Sequence, residues 1–300
     1  WTAFAELGLT AVPFAEDDGG FGGGPVETMI IMEAFGRGLV VEPYLASVVM
    51  AGGAIRHAAS AEQRAAWVPG LADGSTRLAF AWAERNSRYD PAFIALKAEQ
   101  DGDGFKLSGE KTLVLSGDSA DGFIVTARTS GAPGEEAGIG LFYVPADAPG
   151  LSRRGYPTQD GMRAAELSFE AVSVPASHVL GDPAGAFPAI ARVVDETIAA
   201  LAAEAVGAMA RMHELTIAYL KERKQFGVPI GDFQVLQHRG AEMYMALEQA
   251  RSMMLYATMN AAEPDAETRR EAISAAKVQI GRSATFIGQN AVQLHGGVGV

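Results

Sequence analysis

Few residues in this chain have the type and setting to do chemistry. Glu204 stands in the stretch ALAAEAVGAMA, where an ionised carboxylate is costly unless matched. Either it has a partner such as an arginine, or its pKa is raised for proton transfer. The basic run Lys221, Arg223 and Lys224 could hold an anionic small molecule. The glycine-rich stretches GGFGGG (19–24) and GGVG (296–299) allow close backbone approach, as phosphate-binding loops do. The five histidines, His57, His178, His213, His238 and His295, show no i,i+4 pairing with a carboxylate, and no metal site is expected.

Other motifs lead away from several enzyme classes. DGDG at 101–104 is not a calcium loop, because Lys106 and Thr112 fall where glycine and a bidentate glutamate are required; it reads as a hairpin turn. Neither glycine-rich stretch completes the dinucleotide fingerprint, and no nucleophile elbow or P-loop is present. The net charge of -12 argues against nucleic acid and anionic membrane surfaces. The absence of cysteine excludes disulfides and thiolate metal sites and agrees with a cytoplasmic location. No signal-peptide pattern opens the chain, which begins at Trp1.

The elements that must position these residues follow from periodicity. Residues 1–77 read as short helices joined by glycine-rich turns, with a capping box from Ser60 to Gln63. Residues 78–182 read as a β domain of short runs such as LAFAWA, FIVTAR, IGLFYV and AELSFEAVSV, with FIALKAEQ and GFKLSG forming a hairpin across DGDG. Residues 183–300 read as long helices at about 187–224, 233–261 and 265–292, a bundle. Asp265 is placed to cap the third, and Met243, Met245, Met253 and Met254 are expected to fill the bundle core. The class is α+β.

The segment YLKERKQFGVPIGDFQVLQHRGAEM (219–243), with LAFAWAE at 78–84 and QLHGGVGV at 293–300, resembles the acyl-CoA dehydrogenase family over essentially the whole chain. The resemblance implies a helical N-terminal domain, a central antiparallel β domain and a C-terminal helical bundle, with the first and last partial because both chain ends are cut. It also implies FAD between β domain and bundle, its adenosine end reaching a neighbouring subunit. By position, Phe80, Trp82 and Ala83 match the strand that faces the flavin ring. Arg223, Phe226 and Gln234 match residues that hold a neighbour's FAD, and Gln293 and Gly297 match a second contact to it. His295 is expected to pack.

Two departures stand out. Tyr89 occupies the place of a serine that touches the FAD phosphates and the substrate, and Leu113 and Leu115 occupy those of a tryptophan beside the flavin and a threonine near its N5. Such changes resemble the divergent small subunits of heteromeric acyl-CoA dehydrogenases, of the pimeloyl-CoA dehydrogenase small-subunit type. In most of the family the base is a glutamate beyond the H-G-G-x-G stretch, hence beyond Val300. In others it lies where this chain has Thr197. Glu204, about two turns along nearly the same helix face, is the substitute.

The implied activity is FAD-dependent oxidation of an acyl-CoA thioester to the 2,3-enoyl-CoA, within fatty acid β-oxidation or related lipid metabolism. Electrons would pass to an electron-transfer flavoprotein, from a homo-oligomer or a heterotetramer with a related subunit. The alternatives are a non-catalytic partner that completes a neighbour's FAD site, and an acyl-CoA oxidase.

Overall fold

The computed structural model describes residues 1–300, which form two compact units. The first comprises Trp1–Gly23 and Val41–Thr197, and the second Gly24–Val40 and Ile198–Val300.

In the first unit, helix α1 (Thr2–Glu6) leads into short turns. A second helix, α2 (Pro25–Gly38), belongs to the other unit. The chain then runs through a π-helical segment, Leu45–Ala51, into α3 (Gly52–Ala58) and α4 (Ala61–Ala72). Ser60 opens α4 with the expected capping box, its hydroxyl accepting from the Gln63 N–H while the Gln63 side chain accepts from the Ser60 N–H.

Eight strands follow: β1 (Leu78–Ala81), β2 (Lys97–Asp101), β3 (Gly104–Leu115), β4 (Gly122–Arg128), β5 (Ile139–Pro145), β6 (Leu151–Pro157), β7 (Arg163–Val174) and β8 (Val179–Leu180). Their order is β6-β7-β3-β2-β4-β5-β8. Most pairs are antiparallel, but β1 pairs parallel with β4, and β2 touches β4 in parallel as well. The DGDG turn closes the β2–β3 hairpin with Asp101 opposite Gly104, as its sequence predicts. Strand β6 was not legible: LSRRGYP carries no apolar alternation because it is an exposed edge, where charged residues discourage further pairing. The core of this unit lies among Leu96, Leu107, Phe123, Phe142, Leu167 and their neighbours.

In the second unit stand α5 (Phe187–Glu222), which begins in the first unit, α6 (Gln234–Ala261) and α7 (Ala266–His295). Between α5 and α6 a tight hairpin pairs β9 (Lys224–Gln225) with β10 (Val228–Pro229). Asp265 caps α7, accepting from the Thr268 N–H at 2.8 Å. Met243 and Met254 are buried as expected, whereas Met245 is exposed. Its place on α6 points away from the interior that Leu247 and Ala250 share.

Helix α2 meets α5 backbone to backbone. A Cβ on Gly36 would lie 1.8 Å from the Glu204 carbonyl oxygen, and one on Gly207 would lie 1.9 Å from that of Glu33. Only glycine fits at either position. Around this contact Arg251 bonds Glu33 at 2.6 Å and Arg37 bonds Glu214 at 2.7 Å.

Gly36→Ala and Gly207→Ala should each destabilise the protein by about 2 kcal/mol or more, because overpacking outweighs the better helix propensity of alanine. Gly281→Ala on α7, with nothing within 4 Å of the added carbon, should instead stabilise by about 0.5–1 kcal/mol. Denaturant unfolding of the three variants separates the two effects.

Candidate functional site

The first unit carries one surface. Strand β1 buries Phe80 and ends in the half-buried Trp82, Ala83 and Glu84, after which the chain turns through residues 85–89. Tyr89 projects from that turn with 96 % of its surface exposed, and Arg88 before it has φ +50°. Beside this exit runs the distorted end of β3. The Thr112 N–H donates to the Ala83 carbonyl at 2.9 Å, and the register against β7 slips between Lys111 and Val114. Within the slip Leu113 has φ +51° and Ser116 follows with φ +56°. A branched side chain in the left-handed region is strained by about 1 kcal/mol or more, yet Leu113 remains 52 % exposed. A constrained backbone thus presents an apolar side chain to the outside beside the β1 exit.

Sequence reasoning missed what lies beneath. Lys111 is fully buried, and its ammonium donates to Glu84 Oε1 at 2.7 Å, Thr126 Oγ1 at 2.9 Å and the Trp82 carbonyl at 3.2 Å. Burial pulls its pKa down to about 8, against the pull of Glu84 the other way. A signal was present: Phe105 and Leu107 set an inward phase of period two on which Lys111 falls. A lysine on that phase demands a carboxylate.

The second unit carries another surface, at the ends of its long helices. Arg223 follows α5 directly; its N–H donates to Tyr219 O at 2.9 Å and its carbonyl accepts from Ile230 N–H at 2.8 Å. Both backbone groups are fixed, while the exposed guanidinium has no ion pair. The hairpin tip is Phe226-Gly227, both at positive φ (57° and 86°), which matches a type I′ turn. Phe226 is 91 % exposed and meets Phe233 edge-on at 6.1 Å. Gln234 opens α6 and is exposed.

His295 stacks on Tyr219 at 4.5 Å and its Nδ1 lies 2.8 Å from the Ala291 carbonyl, so it packs, as expected. That stack joins the end of α7 to the end of α5, bringing Gln293 and Gly297 to the same end of the bundle as Arg223. Gln293, Gly296 and Gly297 line a depression of ≈ 510 Å³ with Gln289 and Val292. Gly296 ends α7 at φ +59°, which favours glycine, whereas a Cβ at Gly297 would meet nothing within 4 Å, so packing inside the chain does not account for that glycine.

The carboxylates on α5 differ in setting. Thr197 is buried and its hydroxyl donates to the Val193 carbonyl at 2.7 Å. Glu196 accepts from Arg56 at 2.9 Å and Arg192 at 3.3 Å and lies 2.8 Å from His57 Nε2. Burial would raise its pKa, but the His57 hydrogen bond and the Arg56 charge outweigh that and hold it below the ordinary carboxylate range. Glu196 is therefore an ionised structural anchor. Glu204 is half-buried, in the turn of α5 that contacts Gly36. No three His, Cys, Asp or Glu side chains converge to hold a metal ion.

Models of three acyl-CoA dehydrogenase domains match the chain in order: the N-terminal domain at residues 1–75, the middle domain at 79–172 and the C-terminal domain at 187–300. The probable acyl-CoA dehydrogenase YngJ of Bacillus subtilis is 33% identical over 299 residues, which span 98% of this chain and 78% of that protein. Among solved structures, a variant of the Tcur3481-Tcur3483 steroid ACAD superposes with a TM-score of 0.87 at 34% identity, covering 100% of this chain and 78% of that one. A glutaryl-CoA dehydrogenase from Mycobacterium smegmatis in complex with FADH2 superposes with a TM-score of 0.89 at 28% identity, covering 100% and 76%.

Glu196→Gln should cost about 2–3 kcal/mol near neutral pH, at the lower edge of the range for buried pairs because its partners are partly exposed. The folded pKa of Glu196 lies below the unfolded one, so its contribution is complete above the unfolded value of about 4.3 and is lost as pH falls through the folded value. The stability gap between wild type and variant should hold from pH 7 to about 5 and close below about 4.3. Urea unfolding across that range checks it.

Proposed function

Since the chain belongs to the acyl-CoA dehydrogenase family, oxidoreductases acting on CH–CH groups, we propose that it takes part in FAD-dependent oxidation of an acyl-CoA thioester to the 2,3-enoyl-CoA. Electrons pass on to an electron-transfer flavoprotein, and the protein works as an oligomer with copies of itself or a related subunit. Fatty acid β-oxidation in the cytoplasm is the setting this reading carries. No helix is long and apolar enough to cross a membrane.

The observation that carries the reading is the pair of prepared surfaces. FAD, when bound, supplies the acceptor for the β-hydrogen as hydride. The chain's own residues suit it chemically. The free guanidinium of Arg223 offers a fork of donors to a pyrophosphate. The exposed amides of Gln234 and Gln293 offer hydrogen bonds to polar atoms, and Gly297 leaves room for backbone approach. The Phe226 ring, held outward by its turn, offers an apolar face. On the other surface the Ala83 segment and Leu113 offer the ring an edge of backbone and aliphatic carbon, with Phe80 and Trp82 supporting it from β1.

For proton removal α to the thioester, Glu204 is the carboxylate of this chain assigned to the role; Thr197 has no basic group, and its hydroxyl is tied to Val193. Tyr89 stands at the substrate and phosphate position as an exposed phenol. The second reading, a non-catalytic subunit that completes a neighbour's FAD site, is favoured by the bulk of Tyr89.

Arg223→Ala should weaken FAD retention about tenfold or more, since a charge-assisted contact is lost, and Gln293→Ala with Gly297→Val should weaken it as well. Flavin content after gel filtration reports this, and unchanged content in all of them removes the assignment. Anaerobic bleaching of the flavin by a panel of acyl-CoAs, with and without related subunits, tests the reaction. Loss of bleaching in Glu204→Gln supports Glu204 as the base, and bleaching retained at the wild-type rate removes that assignment; a wild-type chain that holds FAD yet bleaches with no acyl-CoA unless a related subunit is present supports the non-catalytic reading.

A further inference from the structure

The strongest unexplained feature is a lysine with no exposed surface. Lys111 and Glu84 have 0% and 9% of their side chains exposed, and neither is given a part in the reaction. All three ammonium protons have acceptors: the carboxylate of Glu84, the hydroxyl of Thr126 and the carbonyl of Trp82. Glu84 is equally committed, accepting the N–H of Ala95 at 2.8 Å and of Leu96 at 3.1 Å. One charge thus ties together the exit of β1, the chain entering β2, and β4.

Stability alone does not call for such a pair. Burying two charges costs several kcal/mol per ion before their attraction repays it, and apolar residues of the same volume often do as well or better. What apolar residues could not do is aim a carbonyl. Lys111 grips Trp82 through its backbone oxygen, and the next residue, Thr112, donates its N–H to Ala83. Leu113 follows, in the left-handed conformation and exposed. A strained residue persists only where its surroundings over-determine it, and the bonds made by Lys111 and Thr112 supply that constraint.

We propose that Lys111 and Glu84 are positioning residues for the flavin: they lock the β1 exit and the β3 bulge into the one arrangement that presents Ala83 and Leu113 to the ring. The inference rests on the FAD reading above and adds to it the residues that shape the surface from inside. Neither residue touches the ring; both act through Trp82, Ala83 and Leu113.

The test uses the full chain with Lys111→Met, Glu84→Gln and, as a control on an exposed ion pair of the same sheet, Lys106→Met, which removes the contact to Asp101. Far-UV circular dichroism establishes folding. FAD dissociation constant, visible absorption, flavin circular dichroism and midpoint potential report the surface. The folded Lys111→Met and Glu84→Gln proteins should bind FAD at least tenfold more weakly, with displaced flavin bands and a shifted potential, while Lys106→Met matches wild type. A purely structural role would lower the melting temperature and leave the bound flavin's spectrum and potential unchanged, which overturns the proposal. If Lys111→Met fails to fold, the isosteric Glu84→Gln decides alone. A wild-type chain that binds no FAD would overturn both the function and this inference; wild-type flavin properties in the variants would overturn the inference only.

Discussion

An ammonium sealed from water must find an acceptor for every proton, and the first unit is arranged around that requirement at Lys111. Its three bonds reach the carbonyl of Trp82, the hydroxyl of Thr126 and the carboxylate of Glu84. Glu84 in turn accepts from the N–H groups of Ala95 and Leu96, just before β2 begins. The parallel pairing of β1 with β4 follows the same logic, since it sets Thr126 beside the strand exit. The turn at 85–89 and the bulge at Leu113 are held from below by this network. The exposed side chains of Tyr89 and Leu113 take no part in that network.

The second unit solves a different problem, which is to hold a loop rigid at the end of long helices. Backbone-to-backbone contact of α2 with α5 leaves no slack for sliding, because carbonyl oxygens sit where a methyl group would otherwise be. The Tyr219–His295 stack then fixes the far ends of α5 and α7 together. The β9–β10 hairpin projects from that fixed end with its turn in a conformation that suits the twist of the two strands. Residues far apart in the chain, Arg223 and Gln293, thereby share one end of the bundle.

Much of this was legible in the residue order, where local physics was strong. The capping box at Ser60, the cap at Asp265, the DGDG hairpin and the three long helices all follow from patterns that operate within one turn or one strand. The edge strand β6 escaped because its exposure removes alternation, and the parallel position of β1 escaped because pairing partners are non-local. The membership of α2 in the bundle unit lay beyond reach for the same reason. At the candidate surfaces, motif resemblance located the exposed residues but not their support. Glu84 and Lys111 are ordinary letters until one asks which face of a strand each occupies.

The placement of α2 carries a consequence for biosynthesis. Pro25–Gly38 leaves the ribosome well before the surface it packs on, which begins at Ile198. At usual elongation rates that interval lasts on the order of 10–30 s. Throughout it a helix whose Met32 and Phe35 are destined for burial lacks the α5 surface against which Gly36 packs. The nascent chain must therefore pass through a stage in which the β unit can close while an early apolar helix stays unsatisfied, a window in which chaperone capture competes with aggregation.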